Sequence, residues 1–191
     1  MDMTDEQREL RKQIIEFAQA TLNQDVVRRD CAGEFSRHRW KQCAEFGLQG
    51  LAVSEEYGGR DIDIVSATVA MEALGYGCED NGLALGLSAQ VWTMQKPVQL
   101  FGTDEQKQKY LPGFCDGSLV GAHAITEQES GSDAYALQLT AEPQDNGYVL
   151  NGRKDLITFA PVADMLLVFA NVRPDSGKWG VTAFLVDRDT L

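Results

Sequence analysis

The stretch LQLTAEPQDNGYVLNG, residues 137–152, marks a change in the rhythm of the chain. Leu137, Leu139 and Ala141 alternate with Gln138, Thr140 and Glu142, the period of two expected of a half-buried strand. PQDNG reads as a turn, Tyr148-Val149-Leu150 as a return strand, and Asn151-Gly152 as a hairpin signal. Downstream, MLLVFANV (165–172) reads as a strand buried on both faces, RPDSGK as a turn and VTAFLV (181–186) as a closing strand.

Upstream the period is helical. Thr4 with Gln7 makes a capping box, and Leu10, Ile14, Phe17 and Ala18 follow on one face, predicting a helix from about residue 5 to 22. A second helix starts near Ser36, turns Trp40, Cys43 and Phe46 inward, and stops at Gly47. LQGLAVSEEYGG (48–59) is expected to be extended and to turn at Gly58-Gly59. Residues 63–75 form a third helix, with Ile64, Ala67, Met71 and Leu74 on one face and Gly75 at its end. Residues 82–101 are apolar almost all round, as in a buried central helix, with a kink or break at Pro97. Thr103 and Gln106 cap a short helix that ends before Pro112. The expected fold class is therefore α+β: an all-α domain over residues 1–117, then an antiparallel β domain over 118–191, as a partial barrel or sandwich. Its four or five strands stop at Leu191 without a finishing element, so this domain reads as truncated.

Composition narrows the function. The 191 residues hold 17 Lys+Arg against 29 Asp+Glu, a formal charge of −12. No basic surface is available to neutralise a nucleic-acid backbone. Apolar stretches are broken by charge before about 18 positions, so no transmembrane helix is expected. The charge is uneven: the first 50 residues carry 8 basic and 9 acidic side chains, leaving 9 and 20 for the rest. A phosphorylated ligand would have to be held largely by backbone N–H groups and hydroxyls. Cys31, Cys43, Cys78 and Cys115 contain no C-x-x-C pair and fit no zinc pattern with His38 and His123, so no metal site is expected. They read as reduced, mostly buried thiols. The start MDMTDEQREL lacks an apolar signal region, and the cytoplasm is the expected location.

Three segments could carry chemistry. AITEQESGSDAYAL (124–137) offers the hydroxyls of Thr126, Ser130 and Ser132, and Gly131 permits close approach of a ligand, although segments of this composition are usually polar loops between strands. NGRKDLITFA (151–160) reads as a turn and half-buried strand, with the Thr158 hydroxyl available to a ligand. The run from Phe101 to Glu127 marks the junction between domains, a favoured place for ligands. His123 lies there as a candidate acid or base, with no Ser or Cys nucleophile arranged beside it.

The order and spacing of GTDEQKQKYLP (102–112), ITEQESGSD (125–133), YVLNGRKDLIT (148–158) and ADMLLVFA (163–170), with EEYGG (55–59) and the apolar helix before GTDEQ, resembles the acyl-CoA dehydrogenase family over essentially the whole chain. The resemblance implies a helical domain, a β-barrel-like middle domain and a second helical domain beyond Leu191. It implies FAD as cofactor, an acyl thioester of CoA or a carrier protein as substrate, and a homo-oligomer for the full-length protein. Ile125 and Thr126 would offer backbone and hydroxyl groups to the flavin ring, and Gly131 would allow close approach. Ser132 would bind the FAD pyrophosphate and lie near the substrate's pantetheine arm. Thr158 would reach flavin N5. The family's catalytic glutamate is expected beyond Leu191, so the 191 residues alone are expected to be inactive.

Three positions depart from the family pattern. Leu156 stands where a Trp or Phe usually covers one flavin face, His123 where Tyr or Phe is common, and Gln128 where Pro usually follows Thr-Glu. Leu156 motivates an alternative, a flavin oxidase or monooxygenase of the same fold. A non-catalytic short paralogue acting as an assembly module, or an unrelated α+β binding protein, are further readings.

Overall fold

The computed structural model describes residues 2–145 and 147–190. The chain divides into two compact units, Met1–Leu119 and Val120–Leu191.

The first unit is helical. Helix α1, Asp5–Thr21, starts on the reciprocal Thr4–Gln7 capping box and buries Ile14 and Ala18. Helix α2, Val26–Ala32, was not foreseen; its seven residues VVRRDCA have too short a pattern to show a period. Helix α3, Arg37–Phe46, is capped by Ser36 and closed by Gly47 in the left-handed conformation, as the sequence predicts. Trp40 and Cys43 are fully buried, and Phe46 stacks on Phe17 with ring centroids 4.1 Å apart.

Residues 48–59 are not extended. They form turns and a 3₁₀ helix, Glu55–Tyr57, that ends on Gly58. Glycine is obligatory at 59, where an added Cβ would lie 1.9 Å from the Val53 carbonyl oxygen.

Helix α4, Ile64–Gly77, runs two residues past Gly75 and is capped by Asp63. Its buried face is Ala67, Ala70, Ala73, Leu74 and Gly77, whereas Ile64 is exposed. Small residues let α4 approach α1 closely: a Cβ on Gly77 would meet the Ile15 backbone at 3.0 Å.

The apolar stretch is α5, Asn81–Ala89, a π-helical segment, Gln90–Gln95, and α6, Lys96–Phe101. Pro97 has no N–H to donate, and its ring crowds the carbonyl four residues back. Widening the preceding turn, with the Lys96 N–H on the Val91 carbonyl, relieves that crowding without a break. Helix α7, Asp104–Cys115, begins on the Thr103–Gln106 capping box and includes Pro112. Among the described residues, no helix is long and apolar enough to cross a membrane.

The second unit holds a five-stranded sheet: β1 Gly121–Ala124, β2 Thr140–Gln144, β3 Gly147–Asn151, β4 Met165–Asn171 and β5 Val181–Asp187. It is mixed rather than wholly antiparallel. β2/β3 and β4/β5 are antiparallel, but β1 runs parallel to β4, and β2 meets β4 in parallel through Thr140 and Asn171. A strand has two edges. With β5 along the whole of one, β1 takes Met165–Val168 on the other and β2 continues at Asn171.

The predicted burial alternation at Leu137, Leu139 and Ala141 is present, although strand pairing begins only at Thr140. Gln144 pairs with Gly147 and Asp145 sits at φ 37°; Asn146 of the predicted PQDNG turn lies outside the described residues. Asn151-Gly152 is not a hairpin turn. Gly152 leaves β3 at φ 146° and passes over Leu139, where a Cβ would lie 2.8 Å from the Leu139 Cα. Ala124, Leu139, Ala141, Val168 and Ala170 form a core cluster, against which Leu150, Ile157 and Phe184 pack.

Candidate functional site

Residues 125–133 and 153–158 leave the sheet at neighbouring places and are joined to each other. The Asp155 N–H donates to the Thr126 carbonyl at 2.9 Å. Lys154 Nζ donates to the Ile125 carbonyl at 3.0 Å and to Glu127 Oε1 at 2.7 Å. Glu127 also accepts from the backbone N–H groups of Gln138, at 2.5 Å, and Leu139, at 3.0 Å. The Glu127 and Lys154 side chains are only 6% and 8% exposed. Burial works against ionisation of Glu127, but the hydrogen bonds from Gln138, Lys154 and Leu139 outweigh it and hold its carboxyl below the usual range.

The 125–133 loop is braced from within. Glu127 and Ser130 exchange backbone hydrogen bonds of 3.0 and 3.2 Å. The buried Ser130 hydroxyl donates its one proton to the Asp133 carbonyl at 2.7 Å, so it is not free to donate to a ligand. Gly131 and Ser132 are exposed at the loop tip, and a Cβ on Gly131 would meet nothing within 4 Å. Among the described residues, the hydroxyls of Thr126, Ser132 and Thr158 have no hydrogen-bond partner.

The 156–159 turn alternates. Ile157 packs against the sheet core, while Leu156 and Thr158 point outward. Leu156 is 94% exposed and sits at φ 56°; Phe159 sits at φ 66°. A left-handed non-glycine residue costs roughly 1–2 kcal/mol, and here two flank Ile157 and Thr158. The half-buried strand expected after Gly152 is absent, because these residues turn back instead of pairing. The Arg188 guanidinium closes the turn, donating to the carbonyls of Ala160, Pro161 and Ala163 at 2.8–3.1 Å.

Thus Ile125, Thr126, Gly131 and Ser132 share one loop, and Leu156 and Thr158 share the adjoining turn. His123 lies in β1 with its ring 5.1 Å from Phe169 and its imidazole below its usual pKa range because of burial. It packs as a neutral aromatic ring. The sequence reading missed Glu127, Lys154 and Arg188: isolated charges in polar segments look like solvated surface, and nothing local in the sequence indicates that they are drawn inward.

Of the thiols, Cys31 is exposed and Cys43, Cys78 and Cys115 are buried.

Known proteins resemble this chain in sequence and fold. Residues 4–118 match the acyl-CoA dehydrogenase N-terminal domain family, and residues 122–191 the acyl-CoA dehydrogenase middle domain family. An L-prolyl-[peptidyl-carrier protein] dehydrogenase of Serratia sp. (strain ATCC 39006) is 37% identical over 189 residues, 99% of this chain and 49% of that protein. The crystal structure of the prolyl acyl carrier protein oxidase AnaB superposes with a TM-score of 0.94 at 41% identity, covering 99% of this chain and 50% of that one. The FAD complex of PigA superposes with a TM-score of 0.94 at 37% identity, covering all of this chain and 50% of that one. The chain spans about half the length of the relatives it matches. Two consecutive family matches that together span nearly the whole chain lead to one conclusion: the chain belongs to the acyl-CoA dehydrogenase family.

Proposed function

We propose that these residues form the flavin-holding N-terminal part of a FAD-dependent α,β-dehydrogenase whose substrate is an acyl thioester. The observation that carries this reading is the joining of two hydroxyl-bearing segments, 125–132 and 155–158, through the Thr126–Asp155 hydrogen bond. The residues fit such a cofactor. An exposed apolar side chain on strained backbone at Leu156 suits the face of a planar ring, and open space around Gly131 suits a diphosphate.

FAD, when bound, supplies the acceptor for the hydride leaving the substrate β-carbon. The chain's own part is to bind and orient. Ile125 and Thr126 would offer backbone and hydroxyl groups to the flavin ring, Leu156 would cover one of its faces, and the Thr158 hydroxyl would favour charge developing on the ring. Ser132, with the loop N–H groups around Gly131, would hold the diphosphate and border the substrate's pantetheine arm. Hydroxyls and dipoles perform this task in a chain of net charge −12. The glutamate base that removes the α-proton is assigned to residues beyond this chain, and the full-length protein is read as a homo-oligomer.

Likeness to the prolyl-carrier-protein dehydrogenase and to AnaB favours a carrier-protein thioester over a CoA thioester, with prolyl as the first group to test. A second reading, an oxidase of the same fold, is favoured by Leu156 in place of an aromatic cover and by the oxidase named in the AnaB structure. The experiment is anaerobic mixing of the full-length, FAD-loaded protein with prolyl-carrier-protein and acyl-CoA thioesters, then exposure to air. Bleaching of the flavin band by a thioester supports the reading, and fast reoxidation assigns the oxidase. A protein that takes up no FAD, or whose flavin no thioester reduces, overturns it.

A further inference from the structure

We propose that Glu127 and Lys154 are a positioning pair that sets the register between the two halves of the flavin site; this inference rests on the flavin reading above. Four hydrogen bonds converge on the pair. Glu127 receives Gln138 N–H, Leu139 N–H and Lys154 Nζ, and Lys154 also reaches the Ile125 carbonyl. Three stretches distant in sequence, 125–127, 138–139 and 154, meet at one buried ion pair.

The placement is specific to the site. Lys154 grips the carbonyl of Ile125 and Asp155 that of Thr126, so both residues facing the ring edge are held from one side. Leu156, Ile157 and Thr158 follow immediately along the chain. A shift of residues 154–155 along 125–126 would therefore carry Leu156 and Thr158 with it. Stability alone is a poor reason for such a pair, because well-packed apolar residues of similar volume often replace a buried ion pair at no loss. Directional bonds fix register, and apolar contact does not.

The test uses the full-length protein and two double variants. Glu127→Leu/Lys154→Met substitutes apolar side chains of similar size; Glu127→Gln/Lys154→Gln is neutral and close in shape, and serves if the first does not fold. Readouts are thermal midpoint without flavin, FAD dissociation constant, and visible circular dichroism of bound flavin. The expected result is a folded variant whose FAD dissociation constant rises about tenfold to a hundredfold, with an altered flavin dichroism spectrum. Lys154→Arg, which keeps the charge and donors, is expected to recover most of the affinity. A folded double variant with parental affinity and dichroism overturns the positioning role while leaving the flavin reading intact. A parent protein that takes up no FAD overturns both.

Discussion

The Asp155 N–H donates to the Thr126 carbonyl at 2.9 Å, so the two segments bearing the candidate ligand groups are one structural element despite 28 intervening residues in the chain. Thr158 projects from this element as an exposed hydroxyl. Thr158→Val is expected to slow thioester-driven flavin reduction roughly a hundredfold, and to change stability by no more than about 0.5 kcal/mol, as at an ordinary surface position. Stopped-flow reduction and thermal melts of the same preparation check both; unchanged reduction removes Thr158 from the site.

Glu127 gives the second unit an acid-side sensitivity. Its folded pKa lies below the ordinary value of 4.5. The carboxylate's stabilisation is therefore fully present above that value and lost as pH falls through the lower folded pKa. Denaturant midpoints are expected to fall as pH drops below 4.5, with Glu127→Gln flattening that part of the profile. At neutral pH the variant leaves Lys154 buried without its partner, a loss of roughly 3–5 kcal/mol.

Arg29 plays a comparable part in the helical unit. Its side chain is 6% exposed, pairs with Asp80 at 2.9 Å and also donates to the Gln24 carbonyl. Asp80 in turn caps α5 through the Leu83 N–H. Arg29→Met strands that carboxylate and is expected to cost about 3 kcal/mol. Asp80→Asn retains the cap acceptor, leaves Arg29 unpaired, and is expected to cost a comparable amount. Urea titration decides: a loss under about 1 kcal/mol for Arg29→Met contradicts a structural role for the pair.

Leu156 combines 94% exposure with φ of 56°. Leu156→Gly removes the left-handed strain, roughly 1–2 kcal/mol, against roughly 0.5–1 kcal/mol of added unfolded-chain entropy. Stability without flavin is expected to hold or rise by up to about 1.5 kcal/mol, while FAD affinity falls. A variant that loses stability and keeps its affinity would sink the proposal that Leu156 serves the ligand.

Thiol chemistry offers a direct check of burial. Burial raises Cys43 to about 12, helped by the nearby Cys78 and Asp80, and Cys115 to about 11, helped by Asp116. Brief alkylation at neutral pH is expected to modify Cys31 alone, with the other thiols reacting after denaturation. Two or more adducts on the folded protein by mass spectrometry contradict this packing.

Helix caps and strand alternation were legible because they are local. Thr4 with Gln7, Ser36 with Arg39, Gly47 with Cys43 and Ala44, and Thr103 with Gln106 each form their bonds across only three or four positions. Helix α2 escaped notice because seven residues are too few to show a period. The parallel pairing of β1 with β4 escaped because strand direction depends on which distant edge is free. The hairpin expected at Asn151-Gly152 failed because a glycine can serve a close crossing, here over Leu139, as readily as a tight turn.

The site divides along the same line. By itself the sequence determined the α-then-β order, the family resemblance and the residues Ile125, Thr126, Gly131, Ser132, Leu156 and Thr158 as candidates, because residue type and spacing carry that information. Only the tertiary structure decided that Glu127 and Lys154 are buried partners, that Ser130 is already spent on Asp133, and that Leu156 is strained and exposed. A charge becomes a buried partner only when chain segments far apart in sequence fold around it. That distance lies outside any local pattern, so the groups that hold the site together emerge only in three dimensions.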